Sequence, residues 1–463
     1  MTSPFSPEPD DAALPGTALP APALGALPRD VVVLDGPLPG DPLELLPRLR
    51  TALSRPGPAV VVATSGSTGR PKKTVLTTEA LEASGRATER ATSGPGQWLL
   101  CLPAHYVAGV QVLARSVLAG THPVVMSTGH FTPAAFADVA EGMDAPVRYV
   151  SVVPTQLQRI LDPAEGAPDF RAVAALARFD AVLVGGSALS PALAARAAEA
   201  GVRVVRTYGM SETCGGCVYD GVALDTVAVR LLPDDAAPAA ARAALTVAEG
   251  PGAFSEGRIW LGGDVVAAGY LDDPAQTAAH FRVLDGVRWY RTDDLGARGE
   301  GGALSALGRT DDVVNTGGVK VSAGLVASVL LEHPALRQAL VVAVPHPEWG
   351  QSVAAVVVPR PGTERSTTLE RELSAAVRDR LGAAAVPKLW HHAQQLPLLA
   401  TGKPDRSAAA ALFTGTADAS ATTGTPGTTG TPLTPPARPG LPDTSDGSET
   451  LDTQDARRAG PRG

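Results

Sequence analysis

A chain of 463 residues has room for more than one domain at roughly 100–200 residues each. Hydrophobic residues make up 44% but aromatics only 4%, so Val, Leu and Ala must fill most of the core. A formal net charge of −8 without a long basic run argues against nucleic acid as the main partner, since phosphate backbones demand clustered Lys and Arg.

Residues 1–28, rich in Pro and Ala, read as a loose lead-in. Met1–Pro20 lacks the basic n-region and apolar stretch of a signal peptide. No run approaches the ~18 apolar residues of a membrane helix. With only Cys101, Cys214 and Cys217 as thiols, a soluble, cytoplasmic protein in a reducing compartment is expected. Ala59–Ala63 predicts a strand that enters the run Thr64-Ser65-Gly66-Ser67-Thr68-Gly69-Arg70-Pro71-Lys72. Glycine-permitted bends can aim backbone N–H groups at one anion, and the hydroxyls and Lys72 add donors and charge. The order is not that of a Walker loop. A flexible linker is the weaker reading, because a second β-prone run, Thr74–Thr77, follows at once.

Further on, Arg148–Val153 predicts a strand followed by a helix from Pro154 through Leu161. Phe179–Val184 predicts a strand ending at Gly185-Gly186, and Val202–Tyr208 one ending at Gly209. Strands alternating with Ala-rich helical runs imply an α/β protein with mainly parallel strands, whose carboxyl ends gather ligands. Near Gly308 a second unit begins, with strands at Val313–Val321 and Ala339–Val344 and helices at Leu325–His333 and Leu369–Leu381. It has the size of a small α+β domain. From Phe413 to Gly463 hardly any large apolar residue occurs, a composition expected to stay disordered. The expected division is a lead-in at 1–28, a large α/β domain at 29–307, a small mobile α+β domain at 308–412 and a tail at 413–463.

The Thr64–Lys72 run resembles the signature loop of the acyl-adenylate-forming superfamily: acyl- and aryl-CoA synthetases, luciferases and peptide-synthetase adenylation domains. Four more elements follow in that family's order. They are Tyr208-Gly209-Met210-Ser211-Glu212-Thr213, Trp289-Tyr290-Arg291-Thr292-Asp293-Asp294-Leu295, Gly308-Arg309-Thr310-Asp311-Asp312 and Thr401-Gly402-Lys403. The resemblance implies an ATP-dependent ligase that joins a small carboxylic acid to AMP and then to coenzyme A. A weakly nucleophilic carboxylate must displace pyrophosphate, so catalysis is mostly positioning and charge neutralisation.

By the same resemblance, Thr64, Ser65, Gly66, Ser67, Thr68, Gly69 and Lys72 hold the departing pyrophosphate. Glu212 holds Mg²⁺, a hard cation that prefers carboxylate and water oxygens, and Ser211 donates to the α-phosphate. Tyr208, beside Gly209, stacks on adenine, with Gly185, Gly186 and Ser187 lining that pocket. Asp294 accepts from the ribose hydroxyls and Arg309 adds a ribose contact. Lys403 is a point charge on a flexible stem that meets transient charge, and Asp311 is the hinge about which the small domain turns between the two steps. Two departures stand out: Asp293 occupies a usual Gly position, and Ala323-Gly324-Leu325-Val326 replaces a Pro-x-Glu helix start.

For the acid, Leu102–Gly109 resembles the segment that lines the superfamily's acyl pocket, and Ser151–Leu157 and Cys214–Gly221 are similar to the o-succinylbenzoate–CoA ligases of menaquinone biosynthesis. This implies an acid pocket shaped by His105, Gly109, Thr213, Gly215 and Gly216, with Arg115 and Arg159 as candidate charges for a second carboxylate. Cys214 and Cys217 lack a second ligand pair for zinc and read as small residues in a tight loop. A CoA ligase for another aryl or short acyl acid is the alternative enzyme. An inactive nucleotide-binding module is the alternative of another class, and intact Lys403, Glu212, Asp294 and Arg309 count against it.

Overall fold

The computed structural model describes residues 17–64, 72–126, 131–161, 169–233, 256–363, 366–399 and 402–414. In chain order the first elements are β1 (Thr17–Ala18), β2 (Val32–Leu34), α1 (Leu45–Ala52), β3 (Pro58–Thr64), β4 (Lys72–Thr77), α2 (Thr78–Ala91), β5 (Gln97–Leu100), α3 (Val107–Ala119) and β6 (Val124–Val125). Then come α4 (Pro133–Glu141), β7 (Arg148–Val152), α5 (Pro154–Leu161), α6 (Phe170–Ala177), β8 (Ala181–Val184), α7 (Pro191–Glu199), β9 (Val204–Met210), β10 (Gly215–Tyr219) and β11 (Val222–Ala223). The β5–β9 region is strand-then-helix throughout, and its helices carry local start signals. Thr77 caps α2, Thr132 caps α4, Asp169 caps α6, and Ser190 caps α7 just before Pro191. Each such cap contributes about 1 kcal/mol by satisfying an orphan N–H.

A seven-stranded sheet of order β11-β10-β9-β8-β7-β5-β6 forms the centre, parallel from β6 to β9. Its central strands are buried on both faces, as crossover helices require. Trp98, Leu100, Tyr149, Ala181 and Leu183 pack toward α1–α3, whereas Leu99, Val150, Val152, Val182 and Val184 pack toward α4–α7. That split is the two-residue period of a strand read onto two cores. A four-stranded sheet, β14-β4-β3-β2, flanks it, with β14 at Gly269–Tyr270.

The next sheet is built differently. The sheet built from β1, β12 (Val227–Leu232), β13 (Glu256–Gly263), β15 (Phe281–Leu284), β16 (Val287–Arg298) and β17 (Leu304–Arg309) is antiparallel throughout. The expectation of mainly parallel strands thus holds for the central sheet, whereas the flanking sheet has a parallel pair only at β2–β3. The physical reason is connection length: β15–β16 and β16–β17 are joined by short turns, which permit only antiparallel neighbours, and α8 (Pro274–His280) is not a crossover between parallel strands. The lead-in is also tied down earlier than expected, since Thr17–Ala18 pairs with Arg282–Val283.

Beyond β17, β18 (Val313–Thr316) and β19 (Val319–Ser322) form a hairpin where a single strand was expected. Gly317-Gly318, both at positive φ, supply its two-residue turn. Next come α9 (Ala323–Leu331), β20 (Leu336–His346), β21 (Gly350–Pro359), α10 (Thr367–Leu381), β22 (Leu389–His392) and α11 (Arg406–Thr414). The five-stranded sheet buries Val341, Val353, Ala355 and Val357 against α9 and α10, and Val342, Ala354 and Val356 on the side of α11. Helix α11 runs two residues past the expected start of the tail and buries Phe413. The rest of the tail, and residues 1–16 of the lead-in, lie outside the described residues. No described helix is long and apolar enough to cross a membrane.

Candidate active site

Strands β7, β8 and β9 end side by side, and the chain's chemistry-bearing residues follow those ends. Strand β8 leads into Gly185, half-buried, and into Gly186 and Ser187, both exposed. Strand β9 carries Tyr208 and Gly209 and turns at once into a single 3₁₀ turn, Ser211–Thr213, which holds Ser211 and Glu212, both buried. A side chain at position 209 is sterically excluded, because its Cβ would lie 2.1 Å from the Gly215 carbonyl oxygen.

Glu212 accepts a 2.7 Å hydrogen bond from the Tyr270 hydroxyl, which lies 3.3 Å from that of Tyr290. Burial first, then the Glu212 charge, drives the Tyr270 phenol well above its ordinary pKa, so it stays a donor that orients the carboxylate. Lys72 Nζ lies over the Tyr270 ring, 5.1 Å from its centroid, a cation–π distance. Lys72 also pairs in register with Thr64 across the β3–β4 hairpin. Ser65, Gly66, Ser67, Thr68 and Gly69, the rest of the expected phosphate loop, lie outside the described residues.

Tyr208 donates to Asp294 Oδ2 at 2.7 Å, and Arg309 Nη1 sits 3.7 Å from Asp294 Oδ1. Burial raises the Asp294 pKa above the ordinary aspartate value, while Tyr208 and Arg309 oppose that shift. Asp294 and Arg309 face each other across the β16–β17 ladder, so the sheet itself sets their spacing. Arg309 also makes a two-pronged pair with Asp311, at 2.7 and 2.8 Å. The departure at Asp293 is accommodated by two cations, Arg258 at 3.4 Å and Arg309 at 3.5 Å. Arg258 is buried and also donates to the Thr292 carbonyl and the Thr310 hydroxyl.

Lys403 reaches this cleft from the far end of the sequence. It sits on a tight turn closed by Leu399 N–H to Lys403 O at 2.8 Å and Gly402 N–H to Leu399 O at 2.9 Å, with Gly402 at φ +77°. Only a residue without a Cβ takes that conformation at no steric cost. A Cβ at Gly402 would meet Val153 at 3.3 Å, and one at Gly186 would meet Lys403 Cε at 3.5 Å. The turn is therefore seated on the ends of β7 and β8. Lys403 is exposed along the cleft, yet desolvation by the surrounding walls lowers its pKa below the ordinary lysine value; Glu212 opposes this, Arg309 adds to it and Asp294 opposes it. The four groups thus share one electrostatic neighbourhood.

The expected acid pocket has two walls. His105 packs on Tyr106 with centroids 4.1 Å apart and the rings tilted by 43°, and burial lowers its pKa. Gly109 lies buried in the first turn of α3 against the Pro103 carbonyl. Gly215 and Gly216 open β10. Thr213 departs from its expected role: it is fully buried, and its hydroxyl is engaged by Met210 N–H at 3.1 Å and the Gly215 carbonyl at 2.8 Å. It therefore holds the turn and does not face an acid. Arg115 is buried over the Trp98 ring at 5.1 Å, while Arg159 is exposed with Nη1 3.5 Å from the Phe131 carbonyl. Burial pushes the thiols of Cys214 and Cys217 up to about 12, which fits small residues packed in a turn. Tyr270, Tyr290 and Arg258 were missed from the sequence, where only Tyr290 fell inside a recognised motif.

A model of AMP-binding enzymes matches residues 17–271, and one of the AMP-binding enzyme C-terminal domain matches residues 325–403. A probable 2-succinylbenzoate–CoA ligase of Mycobacterium tuberculosis is 40% identical over 368 residues, covering 78% of this chain and 86% of that protein. The medium/long-chain-fatty-acid–CoA ligase FadD8 of the same species is 31% identical, covering 76% of this chain and 60% of that protein. Among solved structures, the amide bond synthetase McbA from Marinactinospora thermotolerans superposes with a TM-score of 0.63 at 27% identity, covering 77% of this chain and 69% of that one. With a family model matching more than half of the chain and a relative at 40% identity, the chain belongs to the AMP-binding enzyme family.

Proposed function

We propose that this chain is an AMP-forming acid–CoA ligase that activates 2-succinylbenzoate (o-succinylbenzoate) with ATP and passes the acyl group to coenzyme A, a step that serves menaquinone synthesis. The observation that carries the reaction is the seating of Lys403 beside Gly186, in one electrostatic neighbourhood with Glu212, Asp294 and Arg309. The choice of acid rests on the relative at 40% identity.

In this reading the substrate carboxylate attacks the α-phosphorus of ATP, and the bond to pyrophosphate breaks. Lys403 brings a mobile positive charge to the carboxylate and the α-phosphate as charge builds up. Asp294, oriented by Tyr208, accepts from the ribose, and Arg309 backs it. The thiol of coenzyme A then displaces AMP from the acyl carbon. Glu212 would hold Mg²⁺: a buried carboxylate fixed by Tyr270 suits an ion that takes one or two carboxylates and completes its shell with phosphate and water oxygens. That ion would neutralise phosphate charge. Residues 29–307 form the adenylating body and 308–412 the moving lid, with Asp311 at the hinge.

The test is thioester formation with ATP, Mg²⁺ and coenzyme A, using 2-succinylbenzoate beside a panel of benzoates and fatty acids. Strong preference for 2-succinylbenzoate is expected. Turnover only with another acid would keep the chemistry and discard the acid.

A further inference from the structure

Helix α3 and the start of β10 are the two walls assigned above to the acid pocket, and one buried side chain ties them together. Gln111, on α3, is buried, and its Nε2 donates to the Cys214 carbonyl and, at 3.0 Å, to the Ser84 hydroxyl. The Ser84 hydroxyl itself donates to the same Cys214 carbonyl at 3.2 Å, and Ser84 is buried on α2. Helices α2 and α3 thus converge on one carbonyl oxygen of the turn before β10.

That oxygen belongs to a strained place. Cys214 adopts φ 53°, a left-handed conformation, and Gly215 follows at φ 98°. A residue with a Cβ at positive φ costs roughly 1 kcal/mol or more unless its surroundings hold it there. Gln111 also packs on this turn directly: a Cβ at Gly215 would lie 3.7 Å from Gln111 Cγ. The turn is two residues beyond Glu212 and opens the strand edge assigned to the acid.

We propose that Gln111, assisted by Ser84, is a positioning residue for acid recognition: its hydrogen bond to the Cys214 carbonyl, braced by the one to Ser84, holds the Cys214–Gly216 turn and so sets the width of the acid pocket between α3 and β10. This rests on the assignment of that pocket under the proposed function. Loss of the donors lets the Cys214 turn relax, which widens the pocket for the acid while leaving the ATP side, built from β8, β9 and β16, in place.

The test compares the wild type with Gln111→Met, which keeps shape without donors, and Gln111→Glu, whose carboxylate faces the Cys214 carbonyl with no donor. Ser84→Ala is added, together with Leu113→Ala as a control that loosens the fully buried core on the same helix. Steady-state constants are measured for acid and for ATP, with the thermal midpoint of each variant. Gln111→Met and Gln111→Glu are expected to raise the KM for the acid roughly tenfold, the scale of a buried donor lost, and to shrink discrimination between preferred and smaller acids. The KM for ATP should stay within about twofold. Leu113→Ala should lower the midpoint without changing discrimination. Unchanged acid KM in both Gln111 variants overturns the proposal, as does a parallel rise in both KM values that Leu113→Ala reproduces. If the wild type prefers an acid other than 2-succinylbenzoate, the proposed substrate fails, and the clamp is judged with the acid it does use.

Discussion

At the scale of single residues, the cleft pairs groups whose surroundings push their protonation in opposite directions. Asp294 is raised above the ordinary aspartate range by burial, and Lys403 is lowered below the ordinary lysine range by desolvation. The proposed adenylation uses Asp294 charged and Lys403 protonated. Its rate should therefore fall on the acid side above the usual aspartate pKa and on the alkaline side below the usual lysine pKa. A pH profile of acid-dependent exchange between pyrophosphate and ATP checks this, and Asp294→Asn should remove the acid limb along with most of the ribose affinity. Lys403→Ala should lower that exchange by about a hundredfold or more, the scale of one lost transition-state donor. Thioester formation from preformed acyl-AMP should stay near wild type. Glu212, Asp294 and Lys403 were legible in the sequence because their chemistry admits few residue types and each sits in a short local motif. Their supporting partners were not. Tyr270 lies 58 residues from Glu212, and Ser84 130 residues from Cys214; only the folded sheet brings these pairs together, and no local spacing announces them.

At the scale of elements, the parallel strands were readable because three of the strands seen in the sequence end in Gly- or Ser-rich turns and helical runs alternate with them. The antiparallel sheet was not, since the element Trp289–Leu295 drew attention as a motif and hid its place inside the twelve-residue β16. Gly317-Gly318 did carry a turn signal that divides Val313–Val321 into a hairpin. A further link between elements joins Arg406, at the start of α11, to Asp312 at 2.7 Å and to the Val341 carbonyl at 2.9 Å. Burial raises the Asp312 pKa, and Arg406 opposes that rise. A raised folded pKa means stability present below the unfolded aspartate value and lost as pH climbs through the folded one. Arg406→Ala removes the opposing charge, so the loss should deepen. The variant is expected to be destabilised by about 2 kcal/mol near neutral pH, with a smaller difference near pH 4. Denaturant unfolding at the two pH values measures that gap, and an equal gap at both would mean Asp312 is not the affected group.

At the scale of the whole molecule, two steps with different demands share one cleft. In the proposed reaction adenylation uses Lys403 at the ends of β7 and β8, where this arrangement seats it, with the Gly402 turn against Val153. Thioester formation instead needs a path for a long thiol to the acyl carbon, and a single rigid arrangement serves one step at the expense of the other. A side-chain hydrogen bond joins the five-stranded unit to the body in this arrangement: Gln338 Nε2 donates to Gln158 Oε1 at 2.8 Å. It joins β20 to α5, the helix that follows β7. Replacing both residues, Gln158→Cys and Gln338→Cys, and bridging the thiols with a short bis-alkylating reagent should fix the lid as it stands. The bridged enzyme is expected to keep acid-dependent exchange of pyrophosphate into ATP within a few-fold of the unbridged double variant. Its thioester formation should drop by about a hundredfold or more, because each decade of that loss is only about 1.4 kcal/mol of barrier and the bridge blocks the rotation outright. If the bridged enzyme carries out both steps at full rate, the lid does not need to move about Asp311. If it loses both, the arrangement held by Gln158 and Gln338 is not the one that adenylates, and the seating of Lys403 beside Gly186 serves some other step.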